Sequence, residues 1–72
     1  MTAEEILKKL DSGKYKIEHS PEEVNGKTII VGALLDKENP AGFGRVEFAL
    51  KSRRQQEIFL EGYQRYIATI LG

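Results

Sequence analysis

The chain has 72 residues, no cysteine and one histidine, and its 11 Lys and Arg balance 11 Asp and Glu. That length bounds it to one domain, residues 1–72, near the lower limit of independent folding, where roughly 60% of the unfolded chain's surface can be buried. Disulfide staples and a Cys/His zinc site are excluded by composition, and zero formal net charge argues against the usual basic polyanion binder.

Thr2-Ala3-Glu4-Glu5 has the pattern of a capping box, threonine at N-cap and glutamate three positions on. Ala3, Ile6, Leu7 and Leu10 follow at helical spacing, and Asp11-Ser12-Gly13 supplies a stop, so a first helix is predicted over about residues 3–11. This acidic start lacks the basic segment and apolar run of a signal peptide. The longest apolar run, Thr28–Leu35, is far short of the ~20 residues that span a bilayer. A soluble cytoplasmic protein with no membrane contact is the expectation.

From Lys14 to Ser20 the pattern alternates: Tyr15, Ile17 and His19 share one side, and Lys14, Lys16 and Glu18 the other. It reads as an edge strand whose lysines discourage further pairing. Ser20-Pro21-Glu22-Glu23 predicts one helical turn, with proline at its first position. Asn25-Gly26 is a strong turn signal, and a strand over about residues 27–36 follows. That strand is apolar on both faces: Ile29, Val31, Ala33 and Leu35 on one, Ile30 and Leu34 with Gly32 between them on the other. After a polar loop at 37–42, a third strand over about 43–51 places Val46, Phe48 and Leu50 inward. Arg45, Glu47 and Lys51, with Phe43 and Ala49, face away. Ser52 and Gln55 form a second capping pattern, and the closing helix runs to about Leu71 on a stripe of Phe59, Tyr63, Tyr66 and Ile70. Gly62 within it would allow a close approach to the sheet.

Short turns between consecutive strands favour an antiparallel meander. The expected fold is α+β, in the order α-β-β-β-α, a three-stranded antiparallel sheet with two helices on one face. The larger apolar set, Ile29, Val31, Ala33 and Leu35, is expected beneath the helices. That leaves Ile30, Leu34, Phe43 and Ala49 on the far face as an exposed patch, the candidate interface.

No residue set reads as catalytic. His19 has only Glu18 and Ser20 beside it in sequence, which supplies no nucleophile, base and orienting group together. Glu22, Glu23, Asp36 and Glu38 match no calcium loop, and Gly42-Phe43-Gly44 lacks the remainder of a nucleotide-binding loop. No cofactor, metal or small-molecule substrate is implied. The densest basic run is Lys51-Ser52-Arg53-Arg54, at a helix start where positive charge opposes the helix dipole. Arg53 with Glu57 and Glu61 with Arg65 stand at pairing distance along the helix.

With Ser52-Arg53-Arg54 opening the last helix, the element order resembles the double-stranded-RNA-binding domains, where a Ser-Lys-Lys-like run in that place grips phosphates. The resemblance implies RNA binding through Lys51, Arg53 and Arg54, with Arg45. Where that family carries a Gly-Pro-x-His loop this chain has His19-Ser20-Pro21-Glu22-Glu23, and Glu57 stands about where a helix lysine belongs. Arg45-Val46-Glu47-Phe48, between a helix ending near Gly13 and a closing helix, is similar to the small phage head–tail joining proteins. The residues themselves favour a non-catalytic interaction module, an adaptor or regulator that self-associates as a homodimer. Nucleic-acid binding is the alternative.

Overall fold

The computed structural model describes residues 1–39 and 44–72. Its elements are α1 (Ala3–Asp11), β1 (Tyr15–Val24), β2 (Lys27–Asp36), β3 (Val46–Leu50) and α2 (Arg53–Leu71). The strands form one antiparallel sheet in the order β1-β2-β3. The expected α+β, α-β-β-β-α fold is therefore the observed one. Phe43 lies outside the described residues.

Helix α1 begins as its sequence dictates. The Glu5 N–H donates to Thr2 Oγ1 at 3.2 Å, and the Thr2 N–H donates back to Glu5 Oε1 at 3.2 Å. Together the two bonds satisfy amides that the helix itself leaves unpaired. The Thr2 amide and hydroxyl also stabilise the ionised carboxylate, which holds Glu5 below its ordinary pKa. The helix ends at Ser12, with Gly13 in the left-handed region at φ 78°.

The hairpin between β1 and β2 sets the rest of the sheet. Asn25 and Gly26 have φ of 53° and 76°, the two positive values of a type I′ turn, and they join Val24 directly to its partner Lys27. Pairing then continues without interruption to Tyr15↔Asp36. Ser20–Glu23 are consequently strand, not the expected helical turn. Pro21 is tolerated because β1 is an edge strand, and a proline there can turn its missing donor away from the neighbouring strand.

This register overturns the expected face of β2. Ile17 pairs with Leu34, His19 with Gly32 and Pro21 with Ile30; on β3, Leu50 pairs with Ile30 and Phe48 with Gly32. Opposed residues share a face, so Ile30 and Leu34 join Ile17, Phe48 and Leu50 beneath the helices. Leu34 is 0% exposed and Ile30 6%, in one core with Ala3, Ile6, Leu10 and Phe59. Neither residue belongs to an exposed patch. Gly32 explains the choice of face. A Cβ there would run into the Glu18 carbonyl oxygen and come within 2.6 Å of Phe48 Cζ and 3.0 Å of the His19 Cα. The inner face needs a bare position beside the Phe48 ring and the β1 backbone, and only the even-numbered side of β2 provides one.

The helices run side by side from a shared starting end. Gln55 does not complete the expected capping box; its Oε1 instead accepts the Ala3 N–H at 2.6 Å, tying the first turn of α1 to that of α2. Ser52 Oγ still caps the Gln55 N–H, at 3.5 Å. Gln56 Nε2 donates to the carbonyls of Thr28 (2.9 Å) and Leu50 (3.0 Å), where the β2–β3 ladder ends. Gly62 faces Leu7 of α1, so the close approach it permits is between helices rather than onto the sheet.

Candidate functional site

With both helices on one face, the other face of the sheet is bare of them. Its residues form cross-strand rows: Glu22–Ile29, Ser20–Val31–Ala49, Glu18–Ala33–Glu47 and Lys16–Leu35. Arg45, immediately before β3, continues the last row. An apolar stripe thus runs the length of β2 between polar flanks. Ile29, Val31 and Leu35 are half-buried, and Ala49 is exposed as expected. Ala33 is 1% exposed, flanked by Glu18 and Glu47 in its row. An open depression of about 620 Å³ lies here, floored by Val31, Ala33 and Ala49 and walled by Glu18, Arg45 and Glu47. The apolar residues that reach the surface of the bare face are therefore Ile29, Val31, Leu35 and Ala49, and the expected Ile30 and Leu34 are not among them. The sequence signal was the period-two pattern itself, read with the two sides exchanged.

Among the described residues the edge beside this face is also open. The Lys37 N–H donates to the Lys14 carbonyl at 2.9 Å, extending the β1–β2 ladder by one pair. Ladder bonds alternate along an antiparallel strand, so even-numbered residues of β1 direct their backbone groups at β2 and odd-numbered ones outward. Tyr15, Ile17 and His19 accordingly point their N–H and C=O groups away from the sheet.

Of the four candidate basic residues, Arg45 stands apart from the Lys51–Arg54 run. Arg45 Nε lies 3.4 Å from Glu47 Oε1, and Arg53 Nε lies 3.4 Å from Glu57 Oε1, the expected helical pair. Among the described residues Lys51, Arg54 and Arg65 form no ion pair. Arg45 and Lys51 stand at opposite ends of β3, about 20 Å apart at the rise of a strand, while Arg53 and Arg54 open α2.

His19 lies on the helix side. Its ring meets those of Phe59 and Tyr63 edge to face, with centroids 5.1 and 4.7 Å away. No hydrogen bond orients either ring nitrogen among the described residues. A second hollow, about 640 Å³, opens between the ends of α1 and α2 over Leu7, Leu10, Tyr66 and Ile70. Among the described residues no group of carboxylates and histidine is placed to hold a metal ion, and no helix is long and apolar enough to cross a membrane. Compared with known protein families, curated proteins and solved structures, the chain matches none.

Proposed function

We propose that this domain is a small non-catalytic protein-interaction module, an adaptor or regulator that self-associates, and that its contacts bury the apolar stripe of the bare sheet face. The observation that carries this reading is the row of Ile29, Val31, Ala33 and Leu35 along the central strand with neither helix over it. Burying apolar surface contributes about 25 cal/mol per Å², and among the described residues neither helix lies over this face. The charged flanks give such a contact a polar rim around an apolar centre. The three strands span about 15 Å by 30 Å, so a face-to-face contact falls at the small end of specific interfaces and its association should depend on concentration.

Sedimentation equilibrium across a concentration series tests this. The wild-type chain should rise above its 8.1 kDa monomer mass. Val31→Lys, at a partly exposed position beside Ser20 and Ala49, should keep the native circular dichroism and associate more weakly. A mass profile for Val31→Lys that superimposes on wild type would refute the role of the stripe.

A further inference from the structure

The outward-facing groups of β1 suggest how a second copy would sit. Open strand edge runs from Tyr15 to His19. On one side lies Gly13, in a left-handed turn; on the other lies Pro21, which has no N–H to give. The midpoint of that segment is Ile17. On the bare-face side, the residues flanking Ile17 are Lys16 and Glu18, both exposed and of opposite charge.

We propose that two copies of this chain pair antiparallel through their β1 edges about a twofold axis at Ile17, joining the sheets into one of six strands. In that register Ile17 faces Ile17 of the second copy, and Tyr15 faces its His19. All of these residues carry outward N–H and C=O groups, so each facing pair exchanges two backbone hydrogen bonds. Lys16 then lies directly opposite Glu18 of the second copy, and Glu18 opposite its Lys16. Opposite charges directly across a ladder stabilise it, and like charges destabilise it. The two neighbouring registers that keep both bare faces on one side centre on Lys16 or on Glu18. The first sets lysine against lysine between two Lys14–Glu18 pairs, one like-charge contact more than the Ile17 register carries, and the second sets glutamate against glutamate and brings Pro21 opposite Tyr15. The charges that would blunt this edge against a foreign strand therefore select one partner, the same strand reversed.

This pairing does not rest on the face reading, since it uses the edge and leaves the stripe of β2 uncovered. It joins two stripes on the same side of the six-stranded sheet. Symmetry makes the contact isologous, so the assembly closes at two along this edge.

The test uses the full chain carrying Val31→Lys, which removes the face contact. Sedimentation equilibrium at about 50 mM salt should still show a dimer. Adding Lys16→Glu, or Glu18→Lys, sets two like-charged pairs against each other and should weaken the dimer about tenfold or more. The double exchange Lys16→Glu with Glu18→Lys should restore it to within about threefold. Amide hydrogen exchange should slow at Tyr15, Ile17 and His19 as concentration rises, and not at Glu23. If Val31→Lys is monomeric while wild type associates, the edge proposal is overturned and the face reading stands. If Val31→Lys dimerises but neither charge variant weakens it, or the double exchange fails to restore it, the register is wrong. A wild-type chain that stays monomeric throughout overturns both.

Discussion

The exchange of faces on β2 has a sharp energetic consequence at two neighbouring leucines. Leu34 is fully buried against α1 and α2, whereas Leu35 lies on the bare face in a row with Lys16. Truncating Leu34 to alanine removes buried methyl groups and leaves a cavity that the close-packed helices fill only in part, which costs about 3 kcal/mol. The same truncation at Leu35 opens no cavity and should cost about 1 kcal/mol or less. A chain of this length has a total stability of about 4–11 kcal/mol, so the first change removes a large share of it. Urea unfolding followed by circular dichroism would measure both. With a slope near 1 kcal/mol/M for so small a domain, Leu34→Ala should lower the midpoint by about 3 M and Leu35→Ala by about 1 M or less. Working at low micromolar chain keeps the proposed self-association out of the Leu35 figure. If Leu34→Ala retains too short a folded baseline, Leu34→Val against Leu35→Val gives the same contrast at smaller amplitude. Equal losses at the two positions, or a larger loss at Leu35, would refute the register and with it the bare face.

Gly32→Ala should destabilise by about 1–3 kcal/mol in the same assay, because its Cβ meets the backbone carbonyl of Glu18, which cannot move without breaking the β1–β2 ladder. Gly62→Ala should be nearly neutral. Its methyl meets side-chain atoms of the half-buried Leu7 (both Cδ atoms and, at 3.1 Å, Cγ) and no backbone, so the neighbour can shift, and the gain of about 1 kcal/mol in helix propensity offsets that adjustment. A Gly62→Ala variant as damaged as Gly32→Ala would count against this account of the helix contact. For Glu5, the lowered pKa means its contribution is complete above the ordinary carboxylate range and is lost as pH falls through the lowered value. Between about pH 6 and about pH 2, wild type should therefore lose more thermal stability than Glu5→Gln, in which that group cannot titrate. Parallel losses in the two proteins would remove Glu5 from the acid response.

Much of this molecule is legible residue by residue. The ends of α1, the Thr2–Glu5 box, the Asn25-Gly26 turn and the order of the five elements all follow from contacts within a few positions in the chain. Such contacts are present in the sequence whatever the rest of the chain does. The inner faces of β1 and β3 are legible too, because each alternates apolar with charged residues and leaves only one side that can be buried. Ser20–Glu23 shows where local reading stops. The same four residues suit a helical turn in isolation, and only pairing across a hairpin, at an edge that tolerates Pro21, makes them strand. Gln55 fits a cap for its own helix yet bonds α1, since α1 lies within reach only in the folded state.

The candidate site depended most on tertiary structure. β2 offers two apolar faces, and a strand's period of two makes them interchangeable to any argument from pattern alone. The larger set, Ile29, Val31, Ala33 and Leu35, would be the natural choice for a core. The turn at Asn25-Gly26 instead fixed the register, and the Phe48 ring and the β1 backbone at Glu18 and His19 required a glycine between them. Together these drew Ile30 and Leu34 inward. The sequence by itself determined that one apolar face of the central strand would be left without a helix. Which face it was depended on how neighbouring strands meet, because burial is a property of the space between elements and not of any one of them.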